Sequence, residues 1–516
     1  MIKKTLILIA VALAASASFA EIKMPRVFSD NMVVQAGKPN RFWGTSLPNA
    51  DITLAFDGKT FKTKSDKNGA WLVETSAFGK SFVPREIAVY ENGKPAKTIK
   101  NVLVGEVWLL SGQSNMQYGV GGTPDCEAAK KRASANIRVF YQPSNAMSLK
   151  RETDSHESSH WKIASDRTVP SFSAIGYFFA EELSKKLDTP VGLIDTPLGG
   201  TKMQCWLPEE KLTTQYLSET LARHNRALKT FDYKKQLADY EKRLADFDSA
   251  HKGKKLSKEE AQKRQHILWT RPNPISPWRP QEAPCCMYNA KISPVQGIAI
   301  RGFVWYQGED DASNPRRVHF DENLVLLVNT WRELWNSKNM PFYVFQLPSY
   351  TTKSDWADVR ERQYKACKSL KNAHLICTFD TGEEFDIHPR DKMPLAKRLF
   401  DLAMQYTYKD KSFFGDSPEL KGIEYRGDKA YATFAHCGKG LNLNGSPRGF
   451  EVLVGGKWTP ASARLIAKNR LEISAAEKGA KVEGVRYGWK CWAKPDVCLF
   501  GSNGMPAYPF TNAKGQ

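Results

Sequence analysis

The stretch that decides the fold is VWLLSGQSNMQ, residues 107–117. Its first four residues are apolar, which indicates a buried strand, and the strand signal stops at Gly112. Ser114 follows two residues later. Ligands bind just outside the carboxyl ends of strands in an open α/β sheet, so a serine delivered there by a sharp turn is a candidate nucleophile. Gly-Gln-Ser-Asn is also typical of a plain polar turn, and the rest of the chain has to decide between the two.

The segment around this stretch, residues 106–414, alternates strand and helix signals. Apolar strand-like runs that each end in a polar loop recur along it, at 191–194, 298–306, 342–347 and 374–380. Helical spacing of apolar residues separates them, with Ser173 as an N-cap and Pro394 in a first turn. This alternation predicts an α/β fold, a mainly parallel sheet with helices on both faces and right-handed crossovers.

Residues 209–282 interrupt the alternation. Apolar residues recur there at helical spacing among many charges, and Ser257-x-x-Glu260 is typical of a capping box. We expect a helical hairpin inserted into the α/β domain, with its charges on a solvated face. A lid or a partner surface is the alternative.

Two β-rich segments flank the α/β domain. Residues 21–105 carry hairpin turns at Asp57-Gly58 and Asn68-Gly69, which predict a small β-sandwich. Residues 415–516 carry turns at Gly427-Asp428 and Gly455-Gly456, with strands expected at 450–454 and 464–473. The 516-residue length fits about three domains of ~150 residues.

The first 20 residues have the pattern of a signal peptide. A basic start is followed by a short apolar run and by Ser18-Phe19-Ala20, the small residues that a signal peptidase reads. We therefore expect cleavage after Ala20 and export to the periplasm or the medium. No later stretch is long and apolar enough to predict a membrane span.

Charge and cysteine content exclude some classes. The formal net charge of +20 is spread along the chain, so it favours acidic sugars or other anionic partners only weakly, and nucleic acid is not expected for an exported protein. The nine cysteines show no C-x-x-C and no zinc spacing, so most are expected to be buried thiols. Cys491 and Cys498 are a candidate disulfide pair.

Four strand ends carry the residues of an acyl-transfer site, and a parallel sheet places them at one edge. The four are Ser114, Gly199-Gly200-Thr201, Gln307-Gly308-Glu309 and Asp386-Ile387-His388-Pro389. A serine is a weak nucleophile that needs a base within hydrogen-bond reach.

Each residue type has a role in that chemistry. His388 can take the proton of Ser114 and return it to the leaving alcohol, and Asp386 can hold the imidazole. The oxyanion needs donors, which the N–H groups of Ser114 and Gly200 and the side-chain amide of Gln307 can supply.

Two other interpretations of the Asp386–His388 pair stay open at this point. An Asp-x-His sequence in a loop is often a turn or a surface pair. The two side chains could also bind a metal together with Glu383 or Glu384, although no further histidines cluster nearby.

The motifs together resemble the sialate O-acetylesterase family of SGNH hydrolases. The resemblance covers nearly the whole chain after residue 20 and rests on the residues of several motifs and on their order along the chain. They are WLLSGQSNM at 108–116, GGT at 199–201, YN at 288–289, RG at 301–302, WYQGE at 305–309, QLP at 346–348 and DIHP at 386–389.

The resemblance implies a flavodoxin-like SGNH core without cofactor or metal. It implies Ser114 as the nucleophile, His388 as the base and Gln307 as the side-chain oxyanion donor. The neighbouring Gln113, Asn115 and Glu309 are expected to contact the substrate.

Two departures from the family pattern affect the site. Asp310-Asp311 follow Gln-Gly-Glu where the family usually has Ser-Asn. The SGNH pattern places the acid three residues before the histidine, where this chain has Phe385, so Asp386 is the acid by this interpretation.

We therefore expect an exported serine carbohydrate O-acetylesterase that acts on sialic acid through an acetyl-serine intermediate. One alternative is an acetylesterase acting on xylan or another plant polysaccharide. Another is a glycan-binding protein with an inactive core, which the joint presence of Ser114, His388 and Gln307 disfavours. The oligomeric state does not follow from the sequence.

Overall fold

The computed structural model describes residues 22–513. The predicted signal peptide and its cleavage site after Ala20 lie outside the described residues.

Seven strands precede the nucleophile turn. They are β1 Val33–Gln35, β2 Arg41–Thr45, β3 Asp51–Phe56, β4 Lys59–Lys64, β5 Ala70–Glu74, β6 Ser81–Glu91 and β7 Lys94–Gly112. β2 pairs with β5, while β4, β3, β6, β7 and β1 pair in that order, and side chains of both sheets share one apolar core. The hairpin predicted at Asp57-Gly58 is confirmed: both turn residues have positive φ and join β3 to β4.

Strand β7 belongs to two parts of the molecule. Its first half pairs antiparallel with β6, and its residues 106–112 enter the α/β sheet. A single 19-residue strand therefore crosses the boundary that the sequence suggests between residues 105 and 106. The N-terminal sheet thereby holds the strand that leads to Ser114.

The α/β part has the alternation that the sequence predicts. Its elements are α1 Ser114–Gln117, α2 Cys126–Lys131, β8 Ile137–Tyr141, β9 His160–Ile163, α3 Ala174–Leu187, β10 Val191–Asp195, α4 Gln215–Lys229, α5 Tyr233–Ala250, α6 Lys258–Trp269, β11 Gly302–Tyr306, α7 Phe320–Leu334, β12 Phe342–Phe345, α8 Trp356–Ser369, β13 Ala373–Ile376 and α9 Met393–Tyr406. The expected N-cap Ser173 and the capping box of Ser257 and Glu260 are confirmed.

The sheet order is β13-β12-β11-β7-β10-β8-β9, and every pair is parallel except β8–β9 at one edge. Apolar residues of α3 and α9 pack on one face together with Trp108 and Leu110 of β7. Those of α7 and α8 pack on the other face with Val107 and Leu109. The predicted parallel sheet with helices on both faces is confirmed. In the sheet, β10 lies on one side of β7 and β11, which follows later in the chain, lies on the other. The strand order therefore reverses at β7, and the crevice where ligands bind lies at the carboxyl end of this strand.

Three details differ from the sequence-based expectations. The insertion contains three helices, α4 to α6, rather than a hairpin of two. The strand expected at 464–473 is two strands joined by a turn at 468–469, where no glycine or proline marks the reversal. Cys491 and Cys498 are not bonded, and all nine cysteines, which lie within residues 22–513, are free.

The C-terminal part is antiparallel. Its strands are β14 Glu419–Arg426, β15 Lys429–Ala435, β16 Leu441–Leu443, β17 Phe450–Val454, β18 Lys457–Ala467, β19 Arg470–Ala475, β20 Gly484–Tyr487, β21 Leu499–Gly501 and β22 Phe510–Ala513. It packs beside the α/β sheet, since the buried Arg360 of α8 donates to the carbonyls of Lys490 (2.9 Å) and Cys491 (2.7 Å). Of the helices in residues 22–513, none combines the length and the apolar character that crossing a membrane requires.

The close approach of β7 to β11 at Gly112 gives a stability prediction. Gly112 has φ +126°, and a Cβ there would lie 2.1 Å from the carbonyl oxygen of Tyr306. We expect Gly112→Ala to lower the free energy of unfolding of the α/β part by roughly 2–5 kcal/mol. An alanine at this φ is strained, and its Cβ would also displace the backbone at Tyr306.

Gly58→Ala is the matched control, since Gly58 also has positive φ but nothing lies within 4 Å of its Cβ position. It should lose only about 1–2 kcal/mol. Calorimetric unfolding of both variants checks this, and equal losses would show that the contact with Tyr306 does not constrain the turn.

Candidate active site

The turn after β7 places Ser114 at the start of α1. Gly112 lies against Tyr306 of β11, and the N–H of Gln113 donates to the carbonyl of the same residue (2.9 Å). Ser114 is the first residue of α1 and is half-buried. The strand therefore delivers the serine to the crevice at the carboxyl edge of the sheet.

The loop after β10 lies directly on this serine. A Cβ on Gly199 would be 3.1 Å from the Cβ of Ser114, and the N–H of Gly199 donates to Oε1 of Gln117 (2.8 Å). Within residues 22–513, the N–H groups of Ser114 and Gly200 donate to no protein acceptor. Both remain free to meet a ligand oxygen.

The loop after β13 brings His388 to α1. Nδ2 of Asn115 donates to the carbonyl of Ile387 (3.0 Å), and the Tyr118 ring stacks on His388 with centroids 6.2 Å apart. The nucleophile turn and the histidine loop are thus joined by residues adjacent to Ser114 and His388.

A buried polar network lies behind Ser114. Nδ2 of Asn115 donates to Oε1 of Glu309 (2.6 Å), and Nζ of Lys392 donates to Oδ1 of Asn115 (2.6 Å). All three side chains are buried. Burial raises the pKa of Glu309 to about 7 and lowers the pKa of Lys392 to about 7. The amide therefore bridges a carboxyl and an amine whose pKa values burial moves toward each other, both to about 7.

Gln113 forms a second link to the loop after β11. Its Nε2 donates to Oδ2 of Asp310 (2.9 Å), and its Oε1 accepts from the N–H of Gly308 (3.3 Å). Gln113, Asn115 and Glu309, the residues expected to contact the substrate, are buried and bonded to the protein. In this geometry they fix the loops around Ser114.

Gln307 is also engaged. Its buried Nε2 donates to the carbonyl of Thr201 (3.2 Å) and to Oδ2 of Asp311 (2.5 Å), which uses both amide protons. Asp310 and Asp311, the departures from the family pattern, are thus the acceptors for Gln113 and Gln307. The structure does not present a free Gln307 N–H.

Asp386 lies beside His388 without bonding its ring. Oδ1 of Asp386 accepts the backbone N–H of His388 (2.9 Å) and is 3.9 Å from Nδ1. This second distance is within ion-pair range but too long for a hydrogen bond. Phe385 at the usual acid position is 81% exposed and cannot replace it as an acid.

Three surroundings act on the His388 ring. Partial burial lowers its pKa below the ordinary value, Lys392 lowers the pKa further, and Asp386 raises it. A lowered pKa keeps the imidazole neutral over a wider pH range, which is the form that accepts a proton.

The sequence did not identify Gln117, Tyr118 or Lys392 as site residues. A lysine just before a helix has no distinguishing local pattern, and the contact of Lys392 with Asn115 spans 277 residues. The metal alternative gains no support: Oε1 of Glu383 accepts the N–H of Arg390 (3.2 Å). Across residues 22–513, the structure has no group of three His, Cys, Asp or Glu suited to a metal ion.

The opposing charges around His388 predict opposite shifts of its pKa. Asp386→Asn removes the charge that raises the pKa, so the pKa should fall further below 6.5. Lys392→Met removes the charge that lowers the pKa, so the pKa should rise.

Titration of the His388 ring by NMR measures both shifts. Glu384→Gln is the control, because this exposed carboxyl on the same loop is among the charges that act on neither His388 nor Lys392. If the pKa of His388 shifted in the same direction in Asp386→Asn and in Lys392→Met, the two charges would not act on the ring in opposite directions.

Comparison with known proteins identifies the family of this chain. A family model described as carbohydrate esterase, sialic acid-specific acetylesterase, matches residues 104–237 and 273–402, about half of the chain. The sialate O-acetylesterase of Rattus norvegicus is 25% identical over 94% of this chain and 93% of its own length, and that of Homo sapiens is 23% identical over 91% and 88%. A solved carbohydrate acetylesterase from Xanthomonas citri superposes with a TM-score of 0.78 at 25% identity, covering 96% of this chain and 100% of its own. This chain therefore belongs to the sialic acid-specific acetylesterase family of carbohydrate esterases, and it is a carboxylic ester hydrolase.

Proposed function

We propose that this enzyme is an exported serine esterase with an SGNH core that removes O-acetyl groups from sialic acids through an acetyl-serine intermediate. The observation that carries the proposal is the position of Ser114, which lies against Gly199 and directly precedes Asn115, the residue that bonds the loop of His388. The names of the relatives support the substrate.

The strand order supports the flavodoxin-like SGNH core. The strands β10-β7-β11-β12-β13 lie in the order 2-1-3-4-5 when they are counted from β7 along the chain, with β8 and β9 as extra strands outside β10. This is the doubly wound order of flavodoxin, in which ligands bind at the switch point beside the first strand.

The first half of the reaction forms the acetyl-enzyme. Oγ of Ser114 attacks the ester carbonyl carbon while His388 accepts its proton. The resulting oxyanion is met by the N–H groups of Ser114 and Gly200. When the intermediate collapses, the bond between the acetyl carbon and the sugar oxygen breaks, and His388 returns the proton to the leaving alcohol.

In the second half, His388 takes a proton from water, whose oxygen attacks the acetyl carbon. The bond between that carbon and Oγ of Ser114 then breaks, His388 returns the proton to Oγ, and acetate leaves. Asp386 stabilises the imidazolium by charge at 3.9 Å rather than through a hydrogen bond. Gln307 serves as a third donor when the oxyanion replaces Thr201 as an acceptor of Nε2. Gln113, Asn115 and Glu309 act by holding Ser114 and its loops.

The mechanism predicts the behaviour of Ser114→Ala. Without its nucleophile, the enzyme should lose at least about 10³-fold in acetate release from 4-nitrophenyl acetate. The wild type, quenched during turnover, should carry one acetyl group on the peptide that contains Ser114, detectable by mass spectrometry.

Ser462→Ala, at an exposed serine of β18, is the control and should retain full activity. A folded Ser114→Ala enzyme with undiminished turnover would overturn the mechanism.

The substrate assignment predicts a preference between acetylated glycans. Acetate release from O-acetylated sialic acid should exceed release from acetylated xylan at equal ester concentration, as measured by enzymatic detection of acetate. Faster release from xylan would favour the plant-polysaccharide alternative. Binding of glycans without acetate release from any ester would favour the inactive-core alternative.

A further inference from the structure

A cleft of about 300 Å³ lies beside the candidate active site, between the α/β core and the helical insertion. Lys202, which follows Gly199-Gly200-Thr201, forms one wall, and Arg316 from the segment after β11 forms another. The insertion supplies Arg223 of α4 and Trp278 from the segment after α6. The cleft therefore begins three residues from Gly199, which lies against Ser114.

The walls of the cleft are firmly anchored. Nε2 of His224 lies 2.9 Å from Oγ of Ser276, and its ring packs edge-on against Trp278 with centroids 4.8 Å apart. On the core side, the N–H of Lys202 donates to the carbonyl of Gln281 (3.1 Å). The insertion is thus attached to the loop that carries the proposed oxyanion donor Gly200.

Positive charge exceeds negative charge in this cleft. Lys202 is paired with Glu282 (2.8 Å), and Arg316 lies 3.7 Å from Asp311. Within residues 22–513, Arg223 has no carboxylate within ion-pair distance. Its guanidinium carbon instead lies 5.1 Å from the centroid of the Trp278 ring. Arg223 is exposed, so its fork of donors is available to a ligand.

We propose that Arg223 and Trp278 form a specificity subsite that binds the carboxylate of an acidic sugar and packs against its ring. The proposal rests on the proposed function and adds to it the residues that recognise the acid. An Arg guanidinium binds a carboxylate with two parallel hydrogen bonds, and an aromatic ring beside it offers apolar area at low entropic cost. The insertion thereby determines which sugars reach Ser114.

Inhibition of 4-nitrophenyl acetate hydrolysis tests the subsite. N-acetylneuraminic acid should inhibit competitively, and its methyl ester, which lacks the charge, should bind about ten-fold more weakly. In Arg223→Gln, the inhibition constant of the acid should rise about ten-fold, and that of the methyl ester should stay unchanged. The inhibition constant of glucuronic acid is measured in parallel. Its comparison with that of N-acetylneuraminic acid shows whether the subsite binds the carboxylate of a uronate or that of a sialate.

Arg226→Gln is the matched control, because it removes an exposed arginine of the same helix that does not line the cleft, and its inhibition constants should equal those of the wild type. Trp278→Leu should raise the inhibition constants of the acid and of the methyl ester by the same factor. An unchanged inhibition constant for the acid in Arg223→Gln, or equal inhibition by acid and methyl ester in the wild type, would overturn the proposal. If the wild type does not hydrolyse the ester, the proposed function fails, and calorimetric titration with the same sugars tests the subsite separately.

Discussion

The bridge from Glu309 through Asn115 to Lys392 is the interaction on which the site depends. Moving a carboxylate and an ammonium out of water costs several kcal/mol for each ion, and the cost is offset only where hydrogen bonds satisfy both groups. Here one amide bonds to both groups at 2.6 Å, and its residue is the neighbour of Ser114, while Oε2 of Glu309 is buried without a partner among residues 22–513. Because Asn115 also bonds the carbonyl of Ile387, three segments that are distant in the sequence have a single relative position. A shift of any of these segments would leave a buried polar group unpaired, and an unpaired buried group costs more free energy than a hydrogen-bonded one.

Strand β7 gives this network a rigid base. It pairs with β6 and β1 in the N-terminal part and with β10 and β11 in the α/β part, so the nucleophile turn extends from a strand held along its whole length. The two partners at its end also carry the next loops of the site, which follow β10 and β11. The N-terminal sheet therefore has a mechanical role in the site, although none of the site residues named above comes from it.

The sequence predicts the features of this protein that are local. Three such features each depend on a few adjacent residues: the alternating apolar and polar runs, Gly112 after an apolar strand, and the Asp57-Gly58 hairpin. Their periodicity and their turn residues can be recognised directly in the sequence. The contacts that complete the site are not local. Asn115 and Glu309 are 194 residues apart, and nothing near Gln307 shows that Thr201 and Asp311 take both of its amide protons. The reversal at residues 468–469 was missed for the opposite reason, because a local turn there uses Lys468 and Asn469 without a glycine or a proline.

The place of the insertion in the fold explains how specificity and chemistry can be separated. Loops that follow parallel strands emerge at the edge of the sheet where ligands bind, so residues added between β10 and β11 must lie at the rim of the site. The insertion contacts the core at the Lys202–Gln281 hydrogen bond and at α7, where Oγ1 of Thr214 donates to Oδ1 of Asn323 (2.9 Å). Asn115, by contrast, joins the nucleophile turn to the loop of His388. Changes in the insertion can therefore alter the charge that a sugar meets without moving the nucleophile. This separation requires that the core keep its own buried network, in which Asn115 bonds both Glu309 and Lys392, apart from the exposed arginine at the rim.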